Sequence, residues 1–250
     1  MRLEDLVRYC DAYLNIRDVG DAPEALNGLQ VANRGEVTRI AAAVDLCAAT
    51  VQMASEQQAD LLLVHHGMFW GGPQPLVGTQ FDRVAGLIRS NIALYSAHLP
   101  LDCHAEVGNA AILARLLGVS IRGGFGNWHG QTCGVWGELE ISRELWTRRL
   151  GEVLGAAPRA LPFGPPVVRR VGIATGAGGT MISQASAAGL DTYLTGEGAH
   201  HTYCEAEELH LNVYYGGHYA TETFGVKALA EHLATRFALP WGFLDHPTGM

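Results

Sequence analysis

Two stretches of this chain lie over one another without a gap, 131 positions apart. VTRIAAAVDLCAATVQMASEQQADLLLVHHG starts at Val37, and VRRVGIATGAGGTMISQASAAGLDTYLTGEG starts at Val168. Arg39 falls on Arg170, Ala54-Ser55 on Ala185-Ser186, and Asp60 on Asp191. Each stretch reads as strand, turn, helix, strand, with small apolar residues at helical spacing (Val51, Ala54 and Ala59; Ile182, Ala185 and Ala188). That is a βαβ unit, which obliges a parallel pair of strands and a right-handed crossover. A chain that contains it twice is expected to be α/β, with two similar, duplicated lobes and mostly parallel sheets.

The likeness resumes 120 positions apart. ALYSAHLPLD from Ala93 lies over VYYGGHYATE from Val213, placing His98 on His218 and Asp102 on Glu222. Both copies then run into a helix, GNAAILARLLG or FGVKALAEHLATRF. The offset drops because the first copy has a longer loop, about MFWGGPQPLVG, and loops are where repeats differ. Between the copies, GVWGELE reads as a strand. SRELWTRRLGEVLG reads as a helix capped by Ser142, with Leu145 and Leu150 in its buried stripe and Gly155 at its stop. LPFGPPVV, with three prolines between Pro162 and Pro166, reads as the linker. The expected division is residues 1–125 for the first half and 126–250 for the second, with interleaving of the lobes left open.

Composition narrows the function classes. The 250 residues include 48% hydrophobic and 17% charged side chains, enough apolar material for a sizeable core. The net charge of −8 argues against a general nucleic-acid footprint, which needs a basic face. Apolar runs fall short of a membrane span, and the first residues have helical spacing, unlike a signal peptide. Five cysteines without a C-x-x-C argue against a disulfide framework or a thiolate zinc site and suit a reducing cytoplasm. Eleven histidines point to imidazole and carboxylate as the ligands of any metal.

Polar residues that do not belong in a buried sheet stand at four strand ends, where open parallel sheets bind their ligands. LLLV runs into His65-His66. ALYS leads to His98 and Asp102. TYLT is followed by Glu197 and then His200-His201. VYY leads through two glycines to His218 and Glu222. Adjacent side chains on a strand point to opposite faces. His65 and His66 can therefore serve one site only where the strand stops, and Gly67 allows a turn there. His218 and Glu222, four apart, share a face if a helix begins at His218, and a carboxylate in its first turn suits the helix dipole. Three imidazoles and two carboxylates make a ligand set for two divalent ions, with one carboxylate able to bridge. Such pairs acidify water and polarise a substrate, which points to metal-assisted hydrolysis. His98, Glu197 and His201 are candidates for moving protons. GAGG at Gly176–Gly179 lacks the remainder of a phosphate-binding motif and reads as a tight βα turn.

NGLQV, VDLC, LLLVHHGMFW, YSAHLPLD, YLTGEGAHH, GGHYATETFGVKALAEHL and the closing FLDHPTGM together resemble the Nif-three-like dinuclear metal family, also called GTP cyclohydrolase I type 2-like proteins. The resemblance covers nearly the whole chain and looks like the short form, without the inserted domain that some members carry. It implies metal ligands at His65, His66, Asp102, His218 and Glu222, with Glu222 as the bridge. It also implies two interleaved α/β lobes with the metal pair between them, and a homohexameric ring. The usual asparagine pair is here Asn109-Ala110, a lost side-chain amide that bears on substrate contacts and leaves the implied ligand set intact.

Three functions remain in competition. The first is a metal-dependent hydrolase for a nucleotide or another small phosphorylated or cyclic amide-type substrate, with GTP ring opening suggested by the family label alone. The second is a metal-binding regulatory or carrier protein without turnover. The third is a purely structural metal site. Nitrogen and oxygen donors admit zinc, iron, manganese, cobalt or nickel. The partners expected are a small-molecule substrate and further copies of the chain, without membrane or nucleic acid.

Overall fold

Strands such as IAAAVD and LLLVHH are apolar on both faces, so they are stable only with helices above and below and strands on either side. A computed structural model describes residues 1–22, 25–70, 72, 74–128 and 130–250, and it meets that demand twice. In chain order come α1 (Leu3–Tyr13), β1 (Gly28–Val31), β2 (Ile40–Asp45), α2 (Ala48–Glu56), β3 (Leu61–His66), α3 (Gly78–Arg89), β4 (Ala93–Ser96) and the single turn α4 (Leu99–Asp102). Then follow α5 (Asn109–Leu116), β5 (Ser120–Trp128), β6 (Gln131–Ser142), α6 (Arg143–Leu154), β7 (Arg159–Pro162), β8 (Val167–Ile173), a 3-10 turn (Gly178–Met181), α7 (Ile182–Ala187), β9 (Thr192–Thr195), α8 (Thr202–Glu208) and β10 (Asn212–Tyr215). The chain closes with α9 (His218–Phe237) and β11 (Trp241–Phe243).

The residues form two compact units. One comprises Met1–His104 and Gly225–His246, the other Ala105–Phe224 and Pro247–Met250. A cut at 125/126 falls inside β5, which forms a hairpin with β6 and stays with the second unit. The first unit holds a five-stranded sheet in the order β1-β4-β3-β2-β11, antiparallel only between β1 and β4. The second holds a six-stranded sheet in the order β5-β6-β8-β9-β10-β7. Its centre, β8-β9-β10, is parallel, and its flanks are antiparallel.

The ladder registers carry the duplication. Ile40 pairs with Leu61 as Val171 pairs with Thr192, 131 positions on. Leu61 pairs with Ala93 as Thr192 pairs with Asn212, so β4 and β10 lie 119 positions apart, one fewer than the sequence overlay of Ala93 on Val213 suggests. At the antiparallel edge, Gly28 pairs with Ser96 as Arg159 pairs with Tyr215. One backbone clamp recurs as well. The Asp60 carboxylate accepts from the amides of Thr38 (2.7 Å) and Arg39 (3.1 Å). Asp191 accepts from those of Arg169 (3.0 Å) and Arg170 (2.8 Å).

Thus α6 and β7 are part of the second copy, where α1 and β1 stand in the first. LPFGPPVV joins β7 to β8 within one unit and is not a linker between lobes. Pro162 is tolerated because β7 is an edge strand. The Ser142 hydroxyl accepts from the Leu145 amide and α6 ends at Gly155, as expected, but Trp146 and Leu150 are buried while Leu145 is exposed.

Each unit has its own core. Leu62, Val64, Leu87, Ile92 and Leu94 pack with Leu244 in the first. Leu113, Trp146, Leu150, Val171, Leu194 and Tyr214 pack in the second. In the long loop of the first unit, Gly71 and Pro73 lie outside the described residues. No helix among the described residues is long and apolar enough to cross a membrane.

Candidate metal centre

In the first unit the parallel sheet delivers its polar residues at the carboxyl end of β3 and just past β4. His65 is fully buried and His66 partly so, with ring centroids 4.7 Å apart. His98 precedes α4, its ring 4.9 Å from that of His65. Ligand atoms of His65, His66 and His98 lie within 4.8 Å of one another, a grouping able to hold a metal ion. Asp102, at the end of α4, brings Oδ2 to 3.4 Å from His65 Nε2. Gly67 has an ordinary backbone conformation. Its part is to yield space, because a Cβ there would run into the Gln30 amide and stand 2.6 Å from the Ser96 hydroxyl.

In the second unit α9 begins at His218, so His218 and Glu222 share its first turn, with Nε2 and Oε2 3.1 Å apart. Glu222 is buried. Gly176, in the left-handed region at φ +63°, lies against the pair. A Cβ there would run into Glu222 Oε1 and stand 3.2 Å from His218 Nε2. GAGG is thus a βα turn as read, and its first glycine also keeps the space beside these two side chains. Glu197, just past β9, has Oε1 2.9 Å from His218 Nδ1. Its place is beside the imidazole, orienting it. The hydrogen bond to Glu222 lifts His218 to about 9, prevailing over burial, and Glu197 adds to the rise. His201 is exposed and lines a cleft of about 360 Å³ with Glu197, Thr180, Gly179 and Gly198.

The imidazoles share one feature that suits metal binding. His65 Nδ1 donates to the Ala97 carbonyl at 2.8 Å, and a carbonyl can only accept. His66 Nδ1 faces Asp45 Oδ1 at 2.7 Å, His98 Nδ1 faces Asp21 Oδ1 at 2.8 Å, and His218 Nδ1 faces Glu197. With Nδ1 held, Nε2 is the nitrogen left to face a metal ion, at His218 once the proton shared with Glu222 has been displaced. Histidine ligands of metals are commonly fixed in this way. Neutral imidazoles and ionised carboxylates fit a divalent ion of the first transition row.

Asp21 and Asp45 are the residues that sequence reasoning missed. Burial alone would raise the Asp21 carboxyl, but the hydrogen bond from His98, with those of Asn27 and the Ala22 amide, holds it below its ordinary range. Trp70 was also missed. Its ring meets that of His98 edge-on at 4.6 Å. The VDLC stretch carried a signal for Asp45. Asp21, 77 positions from His98, had none.

A match to the Duf34/NIF3 (NGG1p interacting factor 3) family extends over residues 1–247. This chain belongs to the DUF34/NIF3 family. A protein of Deinococcus radiodurans named GTP cyclohydrolase 1 type 2 homolog is 43% identical over 249 residues, 99% of this chain and 94% of the relative. One of the same name from Halobacterium salinarum is 42% identical over 256 residues and covers both chains fully. The crystal structure of TTHA1606 from Thermus thermophilus superposes with a TM-score of 0.92 at 43% identity, covering all of both chains. Membership in the family and the two-sheet α/β fold agree with the resemblance drawn from the motifs.

Proposed function

We propose that this DUF34/NIF3 chain is a metal-dependent hydrolase in which His65, His66, Asp102, His218 and Glu222 would hold two divalent ions. The observation that carries the reading is the same in both units. A histidine Nε2 lies 3.1–3.4 Å from a carboxylate oxygen, while its Nδ1 is held by a hydrogen bond. When bound, a pair of such ions supplies Lewis acidity and makes water acidic enough to attack at neutral pH.

The chain's own residues do the remainder. Asp45 and Glu197 orient the imidazoles of His66 and His218. His98, held at Nδ1 by Asp21, offers Nε2 to take or return a proton beside His65 and His66. His201, on the wall of the cleft beside Glu197, is placed to do the same for a bound molecule. A cleft of about 360 Å³ has the size of a small-ligand site, which supports a nucleotide or another small phosphorylated or cyclic amide-type substrate. The name that the Deinococcus and Halobacterium relatives carry favours the GTP cyclohydrolase type within that class. Five cysteines without a C-x-x-C pair suit a reducing cytoplasm. The homohexamer implied by the resemblance is part of the same reading.

Elemental analysis tests it. About two metals per wild-type chain are expected, lost in His65→Ala and Glu222→Ala while the fold persists, with nucleotide hydrolysis in the loaded protein. Metal without turnover across a nucleotide screen would favour a carrier or regulatory protein. A wild-type chain that cannot be loaded would end the hydrolase reading.

A further inference from the structure

The outer face of α3 carries large apolar side chains open to solvent. Val77, which caps the helix, is 69% exposed, Phe81 51% and Ile88 63%. With the half-buried Ala85 they fall at i, i+4, i+8 and i+11, a single stripe along the helix. Another side of α3 is already committed to the fold, since Leu87 is fully buried and Gly86 stands close against Val51 of α2. Scattered exposed apolar residues are ordinary, whereas a continuous row of large ones marks a contact surface. Along one flank of the stripe stand Asp82 and Arg89, both exposed, and neither is ion-paired to another described residue.

We propose that this face binds the same face of a second copy of the chain, with the two α3 helices antiparallel about a two-fold axis near Ala85. That operation sets Phe81 of each copy against Ile88 of the other. Residues on one flank of an antiparallel helix pair meet the same flank across the seam, so Asp82 of each copy faces Arg89 of the other, twice. A two-fold contact requires a surface complementary to itself, in charge as well as in shape. The order apolar-acid then apolar-base, Phe81-Asp82 and Ile88-Arg89, meets that requirement. This contact is one interface of the homohexamer included in the proposed function, and it does not depend on the metal ligands.

Sedimentation of the full chain at micromolar concentration decides it. Phe81→Glu combined with Ile88→Glu is expected to reduce the assembly mass at least twofold, with the circular dichroism of wild type retained. Asp82→Arg alone sets like charges opposite Arg89 and is expected to raise the dissociation constant about tenfold. Adding Arg89→Asp to it is expected to restore assembly. Monomeric wild type, an unchanged mass for the double glutamate variant, or a charge exchange that recovers nothing would each overturn the proposal.

Discussion

The two units share a ladder and differ at its ends. Counting 131 positions on, His65 and His66 of the first unit correspond to Gly196 and Glu197 of the second, and Asp45 corresponds to Gly176. In the first unit the strand end itself supplies imidazoles, and Asp45 holds one of them from the neighbouring strand. In the second, the strand end supplies Glu197 as the holder, the imidazole comes from α9, and position 176 is emptied to make room. The roles of donor and support are exchanged over one backbone. A duplicated framework therefore fixes where polar groups gather but leaves open which element presents the imidazole.

The widest gap between the halves is expected at positions 45 and 176. Gly176→Ala places a methyl group on Glu222 at a left-handed backbone position, and it is expected to cost about 3 kcal/mol of stability in the metal-free protein. Asp45→Ala is expected to cost under about 1 kcal/mol. Urea denaturation of both variants reads the difference, and equal losses would break the exchange of roles.

A second contrast concerns protons. In the metal-free protein His218 holds its proton up to about 9 because of Glu222, against an ordinary value of 6.5. The stability that this proton brings is complete below the ordinary value and is lost as pH rises through about 9. A divalent ion held by His218, as proposed, has to displace the same proton. Affinity is therefore expected to climb from pH 7 to 9 by up to about tenfold per unit and then level off. Chelator competition at a series of pH values measures it, and a flat profile would remove His218 from the ligand set.

The supports should behave alike even though they stand at different places. Asp45→Ala and Glu197→Ala are each expected to weaken metal binding about 10- to 100-fold, because each frees an imidazole to turn. A loss confined to one of them would show that only one half depends on its support. The smallest effect tests the framework itself. Asp60→Ala and Asp191→Ala each remove a carboxylate clamped to two backbone amides and should cost about 1–2 kcal/mol apiece. Thermal denaturation should find the two losses equal within about 0.5 kcal/mol.

These contrasts also explain what the sequence could disclose. The parallel ladder was legible because Ile40–Leu61 and Val171–Thr192 keep one spacing, and Asp60 and Asp191 keep their amide partners across it. The edge strands β1 and β7 are only four residues long and too short to display a period, so the copies looked shorter than they are. His218 and Glu222 were visible as a helix-spaced pair. The partnership of Asp21 with His98 was not, since chain distance hides a contact that only folding makes. The sequence suggests Gly67 as a turn-former, but its position is set by the crowding of Gln30 and Ser96, which no local pattern announces.

The order of the first sheet has a consequence for how the chain is made. Its strand β11 pairs with β2, yet about 195 residues separate them, and all of the second unit except its last four residues is written in between. During synthesis the long segment Ala105–Phe224 of the second unit is made before the first can receive its last strand. Until then the edge of β2 that β11 will occupy is bare, an apolar parallel strand with unmet amides and carbonyls. The amino-terminal unit emerges first yet closes only near the end of the chain, and its exposure to mispairing lasts as long as translation of Ala105–Phe224.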